Sequence, residues 1–198
     1  MRLGSAEQLR EHLGGRLRPA YLVAGDEPLL VLEAVDQIRK AALASGCSER
    51  LVYDVAAGFD WADWRMQTRS YGLFASRRLL ELRLANPRLT ADGAEAVAAF
   101  VADPGDDLLL IQVPEWSKAA EGMPWVAAVE RDGVVAIQRA LRAEELPVWL
   151  RARARQLGLV LGEDAVLELV ARVEGNLLAA QQRSEEHTSE LQSLTTIS

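Results

Sequence analysis

The chain has 198 residues, 49% of them hydrophobic and 26% charged, with a formal net charge of −7 and one cysteine, Cys47. That is apolar material for one sizeable core plus part of a second, while the acidic balance excludes a protein that grips nucleic acid through a broad basic surface. One cysteine and two histidines, His12 and His187, exclude an internal disulfide and a Cys/His metal site; no apolar run approaches the roughly 20 residues that cross a bilayer, so a cytoplasmic protein without membrane contact is expected.

The start MRLGSAEQLREHL reads as a short amphipathic helix with His12 on a solvated side, not as a secretion signal. The run AYLVA (20–24) then has strand character. Leu30, Val31, Ala34, Val35 and Ile38 follow at helical spacing, with Asp26 as candidate N-cap and Pro28 in the first turn. RLVYDV (50–55) and RLLELRL (78–84) are the next strands. Thr90 caps a helix whose Ala94, Val97, Ala98 and Val101 share a stripe, DLLLIQV (107–113) is a fourth strand, Trp125, Val126 and Val129 mark another helix, and GVVAIQ (133–138) closes the series. Five strands alternating with helical crossovers predict a parallel sheet flanked by helices, an α/β domain over residues 1–140.

Beyond Gln138 only helical text remains. Pro147 opens VWLRARARQL, Gly158 interrupts it, and Glu163 to Val173 carries Ala165, Val166, Leu169 and Val170 on one side before the break EGN and the run LLAAQQ. A small helical domain over 141–182, incomplete, is the expectation. Residues 183–198 lose every apolar face, and RSEEHTSELQS resembles the translation of a common sequencing-adapter oligonucleotide. The segment is therefore set apart as a non-native or disordered tail, with the natural chain expected to continue past Gln182.

An α/β sheet invites a nucleotide in the loop after its first strand, because backbone N–H groups there converge with a helix N-terminus. That loop is Gly25-Asp26-Glu27-Pro28. A phosphate cradle needs several glycines, a Lys and a Ser or Thr for magnesium; this loop has one Gly and sets two carboxylates where a polyanion would lie. DLLLIQV ends in Gln112-Val113-Pro114 without a magnesium-organising Asp, so nucleotide hydrolysis, and any cofactor, is not expected. Asp106 and Asp107 precede a strand and read as a turn, and Cys47, with no Lys or His beside it, as an inert thiol. Arg151 and Arg155 share a helix face while Arg153 points away; a solvated surface is favoured over a DNA contact.

One segment does not pattern as core. In Arg69-Ser70-Tyr71-Gly72-Leu73-Phe74-Ala75-Ser76-Arg77-Arg78 two large apolar residues follow a glycine and are bracketed by Arg and Ser just before a strand. Pattern alone leaves two readings open: an anchor for a partner's pocket, or a satellite core over the sheet edge.

The ordered series AYLVAGDEPLLVLEAVDQIR, GLFASRRLLELRL, DDLLLIQVPEWSKAAEGMPW, LPVWLRARARQLGL and VEGNLLAAQQ resembles the delta-subunit family of the bacterial DNA polymerase III clamp loader, a degenerate AAA+ branch. The resemblance implies a RecA-like five-stranded domain, a helical lid and a collar that this chain lacks. It implies no catalysis of its own within the holoenzyme, and binding and opening of the ring-shaped sliding clamp (beta subunit) for loading onto primed DNA. The family's Leu-Phe tip maps onto Leu73 and Phe74, with Tyr71 and Gly72 alongside; Gly72 stands where relatives often have Ser. Gly25, Asp26, Glu27 and Pro28 become a non-binding phosphate loop, and Arg151 and Arg155 candidate contacts to primer-template DNA. Motor subunits (gamma/tau) and delta prime are implied partners of the full-length protein. The alternatives are an ATPase of the same fold with an atypical phosphate loop, and a free-standing α/β interaction module.

Overall fold

A computed structural model describes residues 1–69, 77–156 and 158–173. The chain divides into two compact units, residues 1–139 and 140–198.

The first unit is built on a parallel sheet of strands β1 (Arg2–Leu3), β2 (Ala20–Gly25), β3 (Glu49–Val55), β4 (Arg78–Leu84), β5 (Leu108–Val113) and β6 (Val134–Gln138), in spatial order β1-β6-β2-β5-β4-β3. The helices are α1 (Ala6–Leu13), α2 (Pro28–Ala44), α3 (Trp61–Arg69), α4 (Ala91–Ala102) and α5 (Pro124–Asp132). The five strands read from the sequence are all present. The sheet has six, however, not five: Arg2 and Leu3 pair in parallel with Val135 and Ala136. A two-residue strand carries no periodicity, and only tertiary pairing with β6 makes it one.

Alternation along the strands sorts the core into two layers. Ala20, Leu22 and Ala24 of β2, with Leu80, Leu82, Leu109 and Ile111, pack against Trp61 and Trp64 of α3, Val97 and Val101 of α4, and Trp125, Val126 and Val129 of α5. Tyr21 and Val23, with Leu79, Leu108 and Leu110, face Leu9 of α1 and Val31, Ala34, Val35 and Ile38 of α2. The helical positions expected from spacing in α2 and α5 are buried as expected. In α4 the buried stripe is Gly93, Ala96, Val97, Phe100 and Val101, rotated from the expected one because Gly93 lets Trp61 approach: a Cβ there would sit 2.6 Å from the indole.

The α2 start differs from expectation. Its N-cap is Glu27, not Asp26. Pro28 occupies the first helical position, and the residue before a proline is pushed into extended backbone; Glu27 sits at φ −107°, ψ 98° while its carbonyl accepts from the Val31 amide at 3.1 Å. Thr90 caps α4 as expected, its hydroxyl accepting from the Gly93 amide at 3.2 Å. His12 is half-buried instead of solvated, with Nε2 3.2 Å from the Tyr21 hydroxyl, and burial pushes its imidazole pKa down.

Helix α2 leaves the outer part of its layer uncovered, and charged groups finish it. Glu81, at 0% exposure in the middle of β4, accepts from Arg39 of α2 at 2.6 and 3.1 Å, Arg50 of β3 at 2.9 Å and Arg83 at 3.1 Å. Burial alone would raise this carboxyl; the three guanidinium groups outweigh it and hold it at about 2.

The second unit contains α6 (Leu146–Gln156) and α7 (Glu163–Val173). Val166 is fully buried, Leu169 and Val170 partly, and Ala165 is exposed.

Two outcomes follow for stability. Glu81→Gln leaves three arginines around an uncharged group, and urea denaturation at pH 7 should show a loss of about 3 kcal/mol. Because the folded carboxyl lies below its ordinary value of 4.5, the stability it contributes is present above pH 4.5 and lost as pH falls toward about 2. The variant should therefore have a flatter acid limb. Gly25, at φ +151°, ends β2 with its missing Cβ aimed at the Gln138 main chain, 2.6 Å from the carbonyl carbon. Gly25→Ala should lower stability by about 3 kcal/mol or more by splitting β2 from β6, read as a depressed melting temperature.

Candidate functional site

The sequence-derived site residues fall into three groups: the loop after β2, the 70–76 stretch between α3 and β4, and Arg151 and Arg155 on α6. The first is the loop at the C-terminal end of β2. Gly25 is buried there, Asp26 and Pro28 are exposed, and Glu27 is folded inward to 6% exposure. Burial pushes the Glu27 carboxyl up, partly offset by the Leu29 amide, and the side chain forms no regular cap hydrogen bond. The single glycine of the loop is used for the close approach of β6, not to open a concavity of N–H donors. Neighbouring strands add no metal ligand: β5 ends in Gln112-Val113, β6 in Gln138, and β4 in Leu84 followed by Ala85-Asn86. Among the described residues, no group of three His, Cys, Asp or Glu side chains could hold a metal ion.

A cavity of about 510 Å³ opens further along the same edge, past β3 and β4, lined by Phe59, Trp61, Leu89, Asp60, Asp92 and Arg88 among others. Two helix N-termini reach its rim, but both are already capped: Asp60 accepts from the Ala62 and Asp63 amides at 3.0 and 2.9 Å, and Thr90 caps α4. Their amide donors are therefore engaged and not directed at an anion.

The second region is the N-terminal edge, where the chain leaves α3 at Arg69 and returns at Arg77. Tyr71, Gly72, Leu73 and Phe74 lie outside the described residues. The described residues on either side of them form a hydrogen-bond network. Arg78, 8% exposed, forms a two-point ion pair with Asp107, its Nε and Nη2 donating to Oδ2 at 3.0 and 2.6 Å while its backbone amide donates to Oδ1 at 2.9 Å. The same guanidinium donates to the carbonyls of Gln67 at 3.2 Å and Thr68 at 2.8 Å, the final turn of α3. Hydrogen bonding to Asp107 raises the Arg78 pKa. Arg77 works on the opposite layer: Nη1 donates to the Ser45 carbonyl and hydroxyl at 3.0 and 3.1 Å, capping α2, and Nε to the Asp106 carbonyl at 2.7 Å. Two consecutive arginines thus close the C-terminal ends of helices on both faces of the sheet, where a cation also complements the helix dipole.

Sequence patterning identified neither arginine. Asp106 and Asp107 do form a turn, with the Asp107 amide donating to the Pro104 carbonyl at 3.2 Å, but Asp107 is at the same time a buried partner of a residue 29 positions earlier. The available signal was an arginine opening a leucine-rich strand. Cys47 is buried and burial pushes its thiol up, a setting in which thiolate is disfavoured. On α6, Arg151 donates to Glu163 of α7 at 3.0 Å and Arg155 is exposed, so of the two candidate nucleic-acid contacts only Arg155 stands on open surface without an ion pair to α7.

Comparison with known proteins assigns the chain. The family model for the DNA polymerase III delta subunit matches residues 21–137, which include both edges just described. The DNA polymerase III delta subunit of Escherichia coli is 37% identical over 180 residues, 90% of this chain and 52% of that protein. The Haemophilus influenzae counterpart is 32% identical over 180 residues, 89% and 52%. The chain therefore spans about half the length of these relatives. Among solved structures, the Bacillus subtilis DNA clamp loader delta protein superposes with a TM-score of 0.67 at 17% identity, covering 94% of this chain and 58% of that one. The RuvB Holliday junction branch migration motor of Thermotoga maritima gives 0.59 at 14% identity, covering 96% and 64%. Those two likenesses carry the fold, an open parallel sheet with helices on both faces. Sequence and fold together place this chain in the DNA polymerase III delta subunit family.

Proposed function

We propose that this chain is the ring-engaging part of a clamp loader: it binds the sliding clamp through Leu73 and Phe74, supports the open ring during loading onto primed DNA, and hydrolyses no ATP itself. The observation that carries this reading is the family match over residues 21–137, which takes in the 70–76 segment. The geometry around the segment agrees with it, since both of its flanks are tied down at one sheet edge while the loop after β2, at the other edge, exposes the Asp26 carboxylate and keeps Glu27 buried.

The work required is mechanical. Two apolar side chains seated in a pocket contribute roughly 1.5 to 3 kcal/mol each, and burial of this kind concentrates binding energy at a few anchors. A ring held closed by its own interfaces is opened when its partner binds the open form more tightly than the closed one, so the differential affinity sets the extent of opening. No bond is made or broken by this chain in such a scheme. Nucleotide-driven movement belongs to other subunits of the loader, with which the complete protein would assemble, and the helices of residues 140–173 are read as part of the lid. Arg155 is the better of the two candidate contacts to primer-template DNA.

Replacing Leu73 and Phe74 together by Ala should weaken clamp binding by about a hundredfold or more in an equilibrium titration, with the circular dichroism spectrum unchanged. Retained affinity would remove these residues from the interface. Titration calorimetry with magnesium and ATP separates the rival reading, an ATPase with an atypical loop: no saturable heat is expected up to millimolar nucleotide, because the exposed Asp26 opposes the phosphates and the loop offers no Lys. A saturable isotherm would favour the rival.

A further inference from the structure

We propose that the outer edge of β3 is an interaction surface for a second copy of this chain: two β3 strands pair antiparallel about Val52 and join two six-stranded sheets into one. The inference concerns that sheet edge alone and is independent of the docking role proposed for Leu73 and Phe74.

Strand β3 ends the sheet. Its residues Glu49 to Val55 are in register with Arg78 to Leu84 of β4 on one side, and among the described residues no strand pairs with the other side. A strand so placed presents a row of backbone N–H and C=O groups ready to pair, and proteins ordinarily blunt it by shortness, proline, a bulge or charge. At the opposite edge of the sheet β1 is blunted by its length of two residues. β3 has seven residues, no proline and an unbroken register. Its protection is charge, from Glu49, Arg50 and Asp54, and that protection fails against one partner.

Side chains alternate along a strand, so Arg50, Val52 and Asp54 share one face and Leu51 and Tyr53 the other. In an antiparallel pair centred on Val52, Arg50 lies opposite Asp54 of the second copy, Leu51 opposite Tyr53, and Val52 opposite Val52. Opposite charges in directly facing positions attract and like charges repel. The groups are available for this: Val52 is 38% exposed, and the Arg50 and Asp54 side chains 43% and 78%. Arg50 holds Glu81 through Nε and Nη2, which leaves Nη1 as a further donor, and the Asp54 carboxylate reaches Arg83 only at 3.8 Å, beyond hydrogen-bonding distance. Leu51 and Tyr53 are half-buried at the rim of the apolar layer containing Trp64, which their mutual contact extends. Other registers lack this match. A parallel pair in register opposes Arg50 to Arg50 and Asp54 to Asp54, and an antiparallel slip of one residue sets the charged face against the apolar one. The arrangement is two-fold, uses each edge once and closes at a dimer. A pair of seven-residue strands covers less than the roughly 1,200 Å² of a stable interface, so the dimer is weak and concentration-dependent.

Sedimentation velocity on the whole 198-residue chain tests this, over a range of about 5 to 500 µM that brackets an expected dimer Kd on the order of 100 µM. Val52→Lys puts like charges at the two-fold axis and Asp54→Arg puts arginine opposite Arg50; each should raise the Kd about tenfold or more, with the melting temperature little changed because both side chains are exposed. Leu43→Lys, which removes an apolar side chain 71% exposed on α2, should leave the Kd unchanged. If Val52→Lys does not fold, Asp54→Arg decides. Cross-linking reads the register. A thiol-specific linker spanning about 8 Å should join Val52→Cys chains but not Asp54→Cys chains, whose two thiol positions lie about 14 Å apart in the antiparallel pair. Buried Cys47 is common to both, and the wild type supplies its background. A monomer over the whole concentration range overturns the inference. So does a dimer indifferent to both strand variants, one weakened equally by Leu43→Lys, or equal cross-linking at positions 52 and 54.

Discussion

A parallel sheet has to be covered on both faces, and in this protein that requirement organises everything else. Strands β2, β5 and β6 lie at its centre with almost every side chain buried, alternate residues feeding two separate apolar layers. Each helix has its place because one of those layers needs it. Where the covering helices run short, over β4 and β3, the sheet admits charge, and every such charge in the interior is answered by an opposite one.

Strand β4 is where the two demands meet. Its apolar residues belong to the core, yet Arg78 opens it and Glu81 sits in its middle, both buried. Glu81 meets three guanidinium groups, two of which reach further carboxylates, Arg39 to Asp36 and Arg83 to Asp54. Arg78 is different in kind: it joins three elements, and one of them is the end of α3 from which the 70–76 segment departs. Both sites are buried and ion-paired, and they differ in connectivity: Arg78 reaches backbone carbonyls of α3 as well as its carboxylate partner.

The loop after β2 sits where an α/β sheet can receive a phosphate, and here its residues make other contacts. The strand, the turn and the long helix are in place. Gly25 is spent on contact with β6, and Glu27 folds inward where a phosphate cradle would offer donors.

Much of this was legible without coordinates. Runs such as RLLELRL and DLLLIQV announce buried strands by their length and apolar density, and Glu163 to Val173 announces a helix by its spacing, because these signals are local and repeat along the chain. The unfavourable character of Asp26 and Glu27 for a phosphate was equally plain from residue type. The layered α/β class and the order of the five long strands and their helices were thus readable from local pattern. The tertiary structure alone decided that Arg2 and Leu3 are a sixth strand, that Glu27 and not Asp26 caps α2, and that Arg78 meets Asp107. Each of those depends on residues far apart in the chain being brought within hydrogen-bonding distance or on a backbone constraint at one position, and neither leaves a periodic trace in the text of the sequence.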